Sequence, residues 1–109
     1  MTTLSTHVLD IERGAPAPGV PIALYRGDQP LASAETNADG RILDLASGVS
    51  LDAGSYRLVF DVAAYFARQG RAAPFLQRVS LEFHVNTADA HYHVPLLLSP
   101  YACTSYRGS

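Results

Sequence analysis

No lysine occurs anywhere in the 109 residues, and all eight basic side chains are arginine. That absence excludes Schiff-base chemistry and a lysine general base. Cationic recognition falls to guanidinium groups, which meet oxyanions and amides in a planar, bidentate way. Cysteine is almost missing too: Cys103 stands alone, so neither an intrachain disulfide nor a cysteine-based zinc site can form. Its expected role is that of a small residue packed in a strand, as is usual for free cysteine. No cluster of basic residues is found, and a formal net charge of -2 gives no field for nucleic acid or an anionic membrane. The longest apolar run, Val94 to Leu98, is far short of the roughly 20 residues of a membrane span. Met1 to Leu9 lacks the basic-then-apolar order of a signal peptide, so a cytoplasmic protein is the expectation. A Gly-x-Ser-x-Gly nucleophile elbow and a glycine-rich phosphate loop are also absent.

What remains is a chain that is 48% hydrophobic and 17% charged. One domain over residues 1–109 is expected, burying roughly two-thirds of its unfolded surface. Short alternating runs separated by turn signals predict strands over Leu4 to Ile11, Val20 to Tyr25, Leu31 to Thr36, Ser55 to Val62, Arg78 to Val85, His91 to Leu98 and Tyr101 to Ser109. Pro21 is tolerable only near a strand start or on an edge. Asn37-Ala38-Asp39-Gly40 predicts a tight turn that delivers Arg41 to a short segment, and Asp61 can cap one helix that Gly70 ends. Strands at this spacing imply an antiparallel β-sandwich.

Period-2 reading of the run from His91 puts Tyr92, Val94, Leu96 and Leu98 toward the core and His91, His93, Pro95 and Leu97 outward. Leucine and proline beside histidines on an outer face predict an interface or a pocket. His7 shares a strand face with Leu9, and if the first and last strands share a sheet, His7, His93 and the tail converge. Histidine is matched to proton transfer near neutral pH. The His91-x-His93 pair with His7 also has spacing that could hold zinc, and a Ser-His-acid arrangement could be assembled around Ser109. The tail Tyr106-Arg107-Gly108-Ser109 brings a hydroxyl, a guanidinium and a carboxylate to the end of a strand pattern, where chains ordinarily fray. Alternation puts Tyr106 and Gly108 on one face and Arg107 and Ser109 on the other.

Three segments carry a resemblance over the whole domain: Leu4-Ser5-Thr6-His7-Val8-Leu9-Asp10 with Gly14 and Pro16 to Pro21, then Gly40-Arg41, then His91 to Pro100 with Tyr106-Arg107-Gly108-Ser109. In these the chain resembles the 5-hydroxyisourate hydrolases, also called transthyretin-related proteins. The resemblance implies an all-β, transthyretin-like sandwich of two four-stranded sheets with one short helix. It also implies a homotetramer, a dimer of dimers whose sites lie at the dimer-dimer interface. The implied activity is hydrolysis of 5-hydroxyisourate to 2-oxo-4-hydroxy-4-carboxy-5-ureidoimidazoline in urate breakdown, with no metal or organic cofactor. The site residues carried over are His7, Arg41, His93, Tyr106, Arg107, Gly108 and Ser109, with His91 in a supporting role. His7 and His93 would position and deprotonate water, Arg41 would hold the substrate, and Tyr106 would obstruct a longer ligand. The alternative is a hormone-type carrier on the same fold, which would need no acid-base groups in its channel.

Overall fold

The computed structural model describes residues 2–86 and 89–109. Two sheets face each other across one core. The first holds β1 (Thr3–Asp10), β2 (Ala15–Pro16), β5 (Arg41–Ile42), β8 (His91–Leu98) and β9 (Cys103–Ser105). The second runs in the order β4 (Gln29–Glu35), β3 (Pro21–Arg26), β6 (Gly54–Phe60), β7 (Val79–Val85). The extra strand of the first sheet comes from a split edge. β2 pairs with Leu9 and Asp10, β5 pairs with Thr6 and His7, and the two short pieces share one side of β1.

Each inward face is the one the alternation predicts. Leu4, Val8, Leu96 and Leu98 from the first sheet meet Ile22, Leu24, Leu58 and Phe60 from the second, all at 2% exposure or less. Pro21 opens β3, where its missing N–H costs no ladder bond. Helix α1 (Val62–Arg68) starts where expected: the Asp61 carboxylate accepts from the Ala64 N–H at 3.1 Å. It buries Val62, Tyr65 and Phe66. Gly70, at φ 66°, then takes the left-handed conformation that ends the helix.

Three features depart from the sequence reading. The pairing of β1 with β8 is parallel, from Thr3 opposite His91 to Asp10 opposite Leu98, within sheets whose other pairs are antiparallel. The last strand covers only Cys103–Ser105, not Tyr101 to Ser109. Cys103 is in a strand, as expected, but exposed instead of packed. No helix among the described residues is long and apolar enough to cross a membrane.

Candidate active site

The parallel β1–β8 register is what builds the site. It sets Ser5 opposite His93 and His7 opposite Pro95, while β5 sets Arg41 opposite His7. Odd-numbered residues of β1 and β8 therefore share the outer face of the first sheet. There, Ser5, Thr6, Arg41, Ile42, Leu43, His91, His93 and Ser109 line a hollow of about 320 Å³.

Arg41 reaches this face because of the turn before it. The Asn37 side-chain carbonyl accepts from the N–H groups of Asp39 and Arg41, and the Gly40 N–H donates to the Asn37 carbonyl. Gly40 lies at φ 73°, and a Cβ there would sit 2.5 Å from the Val8 carbonyl oxygen, so only glycine lets the turn close against β1. The Arg41 side chain is left exposed, without an ion pair among the described residues.

His93 is half-buried, and its ring is held on two sides. Its Nδ1 lies 2.7 Å from the Ser5 hydroxyl, and that hydroxyl also lies 3.1 Å from Nε2 of His91. Gly108 covers the other edge: its N–H donates to the His93 carbonyl at 2.8 Å, and a Cβ on it would fall 2.5 Å from the ring Cδ2. The fixed ring leaves Nε2 without a bonded partner among the described residues. Burial pushes the His93 pKa below the ordinary histidine value, and the charge of Arg41, joined by His91 and His7 whenever they are protonated, pushes it further the same way. At neutral pH the ring is therefore unprotonated and able to accept a proton.

The candidate residues do not all converge. His91, His93, Arg41 and Ser109 line one hollow, with Gly108 behind the His93 ring. His7 stands on the same face beside Arg41, outside the lining but near enough for its charge to reach His93. Tyr106 and Arg107 lie elsewhere, in a second hollow of about 460 Å³ bordered by β7 residues, Tyr92 and Val94. The alternation that put Tyr106 with Gly108 fails because β9 stops at Ser105 and Arg107 anchors the chain beyond it. The Arg107 guanidinium donates to the His91 carbonyl at 3.1 Å, lies 3.8 Å from the Asp89 carboxylate and stacks 4.4 Å above the Tyr92 ring. Arg107 fastens the tail; Gly108 and Ser109 are what the tail delivers.

The zinc arrangement allowed by spacing does not form, since no three His, Cys, Asp or Glu side chains are grouped to hold a metal among the described residues. Ser5 and Thr3 were not singled out from sequence. The available signal was the parity of β1, which puts both on the face of His7, but their histidine partners come from 86 to 88 residues away. Leu43, 74% exposed on the rim of the hollow, was likewise missed.

Comparison with known proteins places this geometry. The chain is 47% identical over 114 residues to 5-hydroxyisourate hydrolase 2 of Rhizobium meliloti (strain 1021), covering 97% of this chain and 95% of that protein. Among solved structures it is similar to the 5-hydroxyisourate hydrolase of Klebsiella pneumoniae, with a TM-score of 0.91 and 44% identity over the full length of both chains. It is also similar to sea bream transthyretin in complex with thyroxine, with a TM-score of 0.84 and 30% identity, covering 97% of this chain and 94% of that one. Residues 4–108 match the profile of the HIUase/Transthyretin family. The chain belongs to the HIUase/Transthyretin family.

Proposed function

We propose that this protein hydrolyses 5-hydroxyisourate to 2-oxo-4-hydroxy-4-carboxy-5-ureidoimidazoline, a step of purine catabolism, within a single cytoplasmic domain. The observation that carries the reading is the His93 ring, held at Nδ1 by Ser5 and backed by Gly108, in one hollow with the exposed Arg41 side chain. His93 takes a proton from water through Nε2, and the water oxygen adds to the ring carbonyl carbon. The C–N bond of the cyclic amide then breaks, and the proton returns to the departing nitrogen. Arg41 binds the planar, electron-rich substrate through its fork of N–H donors. His7, next to Arg41, supports the placement of water and substrate, and Ser109 closes the side of the hollow toward the tail.

Carrier function on the same fold is the weaker reading. Named hydrolases resemble the chain at 44% to 47% identity against 30% for the transthyretin, and the histidine face has acid-base chemistry that a carrier does not need. A homotetramer, as a dimer of dimers, is part of the proposal. Leu43 on the rim of the hollow, and Leu97 farther along the same face of β8, are apolar groups that a second dimer would cover, and such cover would complete a pocket that is open in one chain.

The test generates 5-hydroxyisourate in place with a urate oxidase and follows its decay. Acceleration by the protein, lost in His93→Ala, Arg41→Ala and His7→Ala, is the expected result. Decay unchanged by these three substitutions would overturn the site, and tight thyroxine binding without acceleration would establish the carrier. Mass measurement in solution checks the tetramer.

A further inference from the structure

The outer face of the first sheet carries a continuous line of groups that exchange hydrogen bonds: Thr3 hydroxyl, His91 ring, Ser5 hydroxyl, His93 ring. Thr3 Oγ1 lies 2.5 Å from His91 Nδ1, Ser5 Oγ lies 3.1 Å from His91 Nε2, and Ser5 Oγ lies 2.7 Å from His93 Nδ1. Four side chains from two strands are thus joined end to end, and the free end is Nε2 of His93.

We infer that Ser5 is a positioning residue that links His91 and His93 into one proton wire and thereby decides which nitrogen of His93 faces the substrate. A hydroxyl has one proton to donate, and a neutral imidazole has one donor and one acceptor nitrogen. The line therefore has two self-consistent orientations. In the first, His93 Nδ1–H donates to Ser5, Ser5 donates to His91 Nε2, and His91 Nδ1–H donates to Thr3. His93 Nε2 then holds a lone pair and can act as a base. In the second, every proton is reversed: Thr3 donates to His91 Nδ1, His91 Nε2–H donates to Ser5, Ser5 donates to His93 Nδ1, and Nε2 carries a hydrogen.

Only the first orientation suits a base that takes a proton from water. When Nε2 receives that proton, Nδ1–H keeps its bond to Ser5, and no other atom in the line has to turn. Transfer of the same proton to the departing ring nitrogen restores the start, so the line gains and loses nothing over a cycle. A charged neighbour favours the first orientation as well. The Arg41 guanidinium lines the same hollow as His93, and beside positive charge a ring with a lone pair at Nε2 is preferred to one with an N–H there. The parallel register of β1 with β8 makes this possible by setting Ser5 beside His93 and its diagonal neighbour His91.

The consequence for rate rests on the proposed hydrolysis; the wire itself does not. Two readouts on the full chain separate them. Nitrogen-15 NMR of the histidine rings at pH 7.5 reports the tautomer of His93 without substrate. Wild type is expected as the Nδ1–H form, Ser5→Ala as a mixture enriched in Nε2–H, and Ser5→Thr, which keeps the hydroxyl, as wild type. In the decay assay Ser5→Ala removes the bonds to both rings and is expected to lower kcat by about tenfold through the one that holds His93, with KM nearly unchanged and Ser5→Thr restoring the rate. A His93 tautomer that is Nε2–H in wild type, or that does not move in Ser5→Ala, overturns the inference. A tautomer that moves while kcat stays at wild type keeps the wire and overturns the assignment of His93 as the base.

Discussion

Two polar clusters hang from the same strand, β1, and they follow opposite electrical plans. At its C-terminal end Asp10 is fully buried, and every lone pair that matters is answered. Arg71 Nη1 lies 2.5 Å away, the Tyr65 hydroxyl donates at 2.8 Å, and the N–H groups of Glu12 and Arg13 donate at 3.1 Å. Glu12 pairs with the other arm of Arg71, so the cation faces two carboxylates. At the N-terminal half of β1, Ser5 and His7 stand on a face with His91, His93 and Arg41, and no Asp or Glu lines their hollow. One cluster is balanced by acidic side chains, and the other has none in its lining. The balanced one locks helix α1 to the sheet. The unbalanced one lowers the pKa of a histidine and leaves a guanidinium without an ion pair among the described residues, the arrangement that the proposed hydrolysis would use.

If that division is right, substitutions at the two ends should separate cleanly between rate and stability. The largest effect is expected for His93→Gln: decay of 5-hydroxyisourate slowed by roughly 100-fold to 10,000-fold, the ordinary range for a lost general base. Its thermal midpoint should match or exceed wild type, because the replaced ring is desolvated among positive charges. Asp10→Asn should do the reverse. Removing one partner of a buried ion pair strands the other, at a cost of about 3 kcal/mol in a urea titration, while kcat measured on the folded fraction stays near wild type. A large loss of rate in Asp10→Asn would merge the two clusters into one.

Gly108→Ala tests the histidine cluster at smaller scale. The added methyl would meet the His93 ring 2.5 Å from Cδ2, so either the ring turns away from Ser5 or the tail lifts off. We expect about a tenfold loss of kcat as the ring is displaced, with a midpoint lowered by an overpacking cost of about 1–3 kcal/mol. Tyr65→Phe is the milder counterpart on the balanced side. It removes one donor to Asp10 and should cost about 1 kcal/mol, with rate unaffected.

The same contrast explains what the sequence could and could not reveal. Alternation located Tyr56, Leu58 and Phe60 on the buried face of β6, and Asp61 was legible as a cap because capping depends on neighbours a few residues away. His93 and Arg41 were legible from strand parity and turn chemistry of the same local kind, joined to a family resemblance. Ser5 was not, since its role depends on a parallel register between segments 88 residues apart, which no local pattern encodes. Tail parity misled for a related reason: Arg107 finds Asp89, the His91 carbonyl and the Tyr92 ring, and these long-range partners end the strand before Tyr106.

The smallest expected effect is in pH, and it distinguishes the clusters by window. His93 has a folded pKa below the unfolded reference of 6.5, so the unfolded chain binds a proton first. The folded state is unpenalised above that reference, begins to lose stability as pH falls through it, and has lost all of this contribution once below the folded value. For Asp10, burial alone would raise the carboxyl, but the bonds from Arg71, Tyr65 and the Arg13 N–H outweigh it and leave the pKa below 3.8. Its stabilisation is intact above 3.8, begins to fade as pH falls below that, and is lost once pH has dropped through the lower folded value. Stability measured by urea titration between pH 8 and pH 3 should therefore decline in two stages. His93→Gln should remove the upper stage alone, and Asp10→Asn the lower stage alone. The acid limb of kcat/KM should follow the upper stage, falling below 6.5, and Arg41→Gln should shift the His93 titration upward while burial still holds it under the ordinary value. If Arg41→Gln left that titration in place, the free guanidinium would not be part of what keeps the base unprotonated, and the two ends of β1 would differ in burial alone.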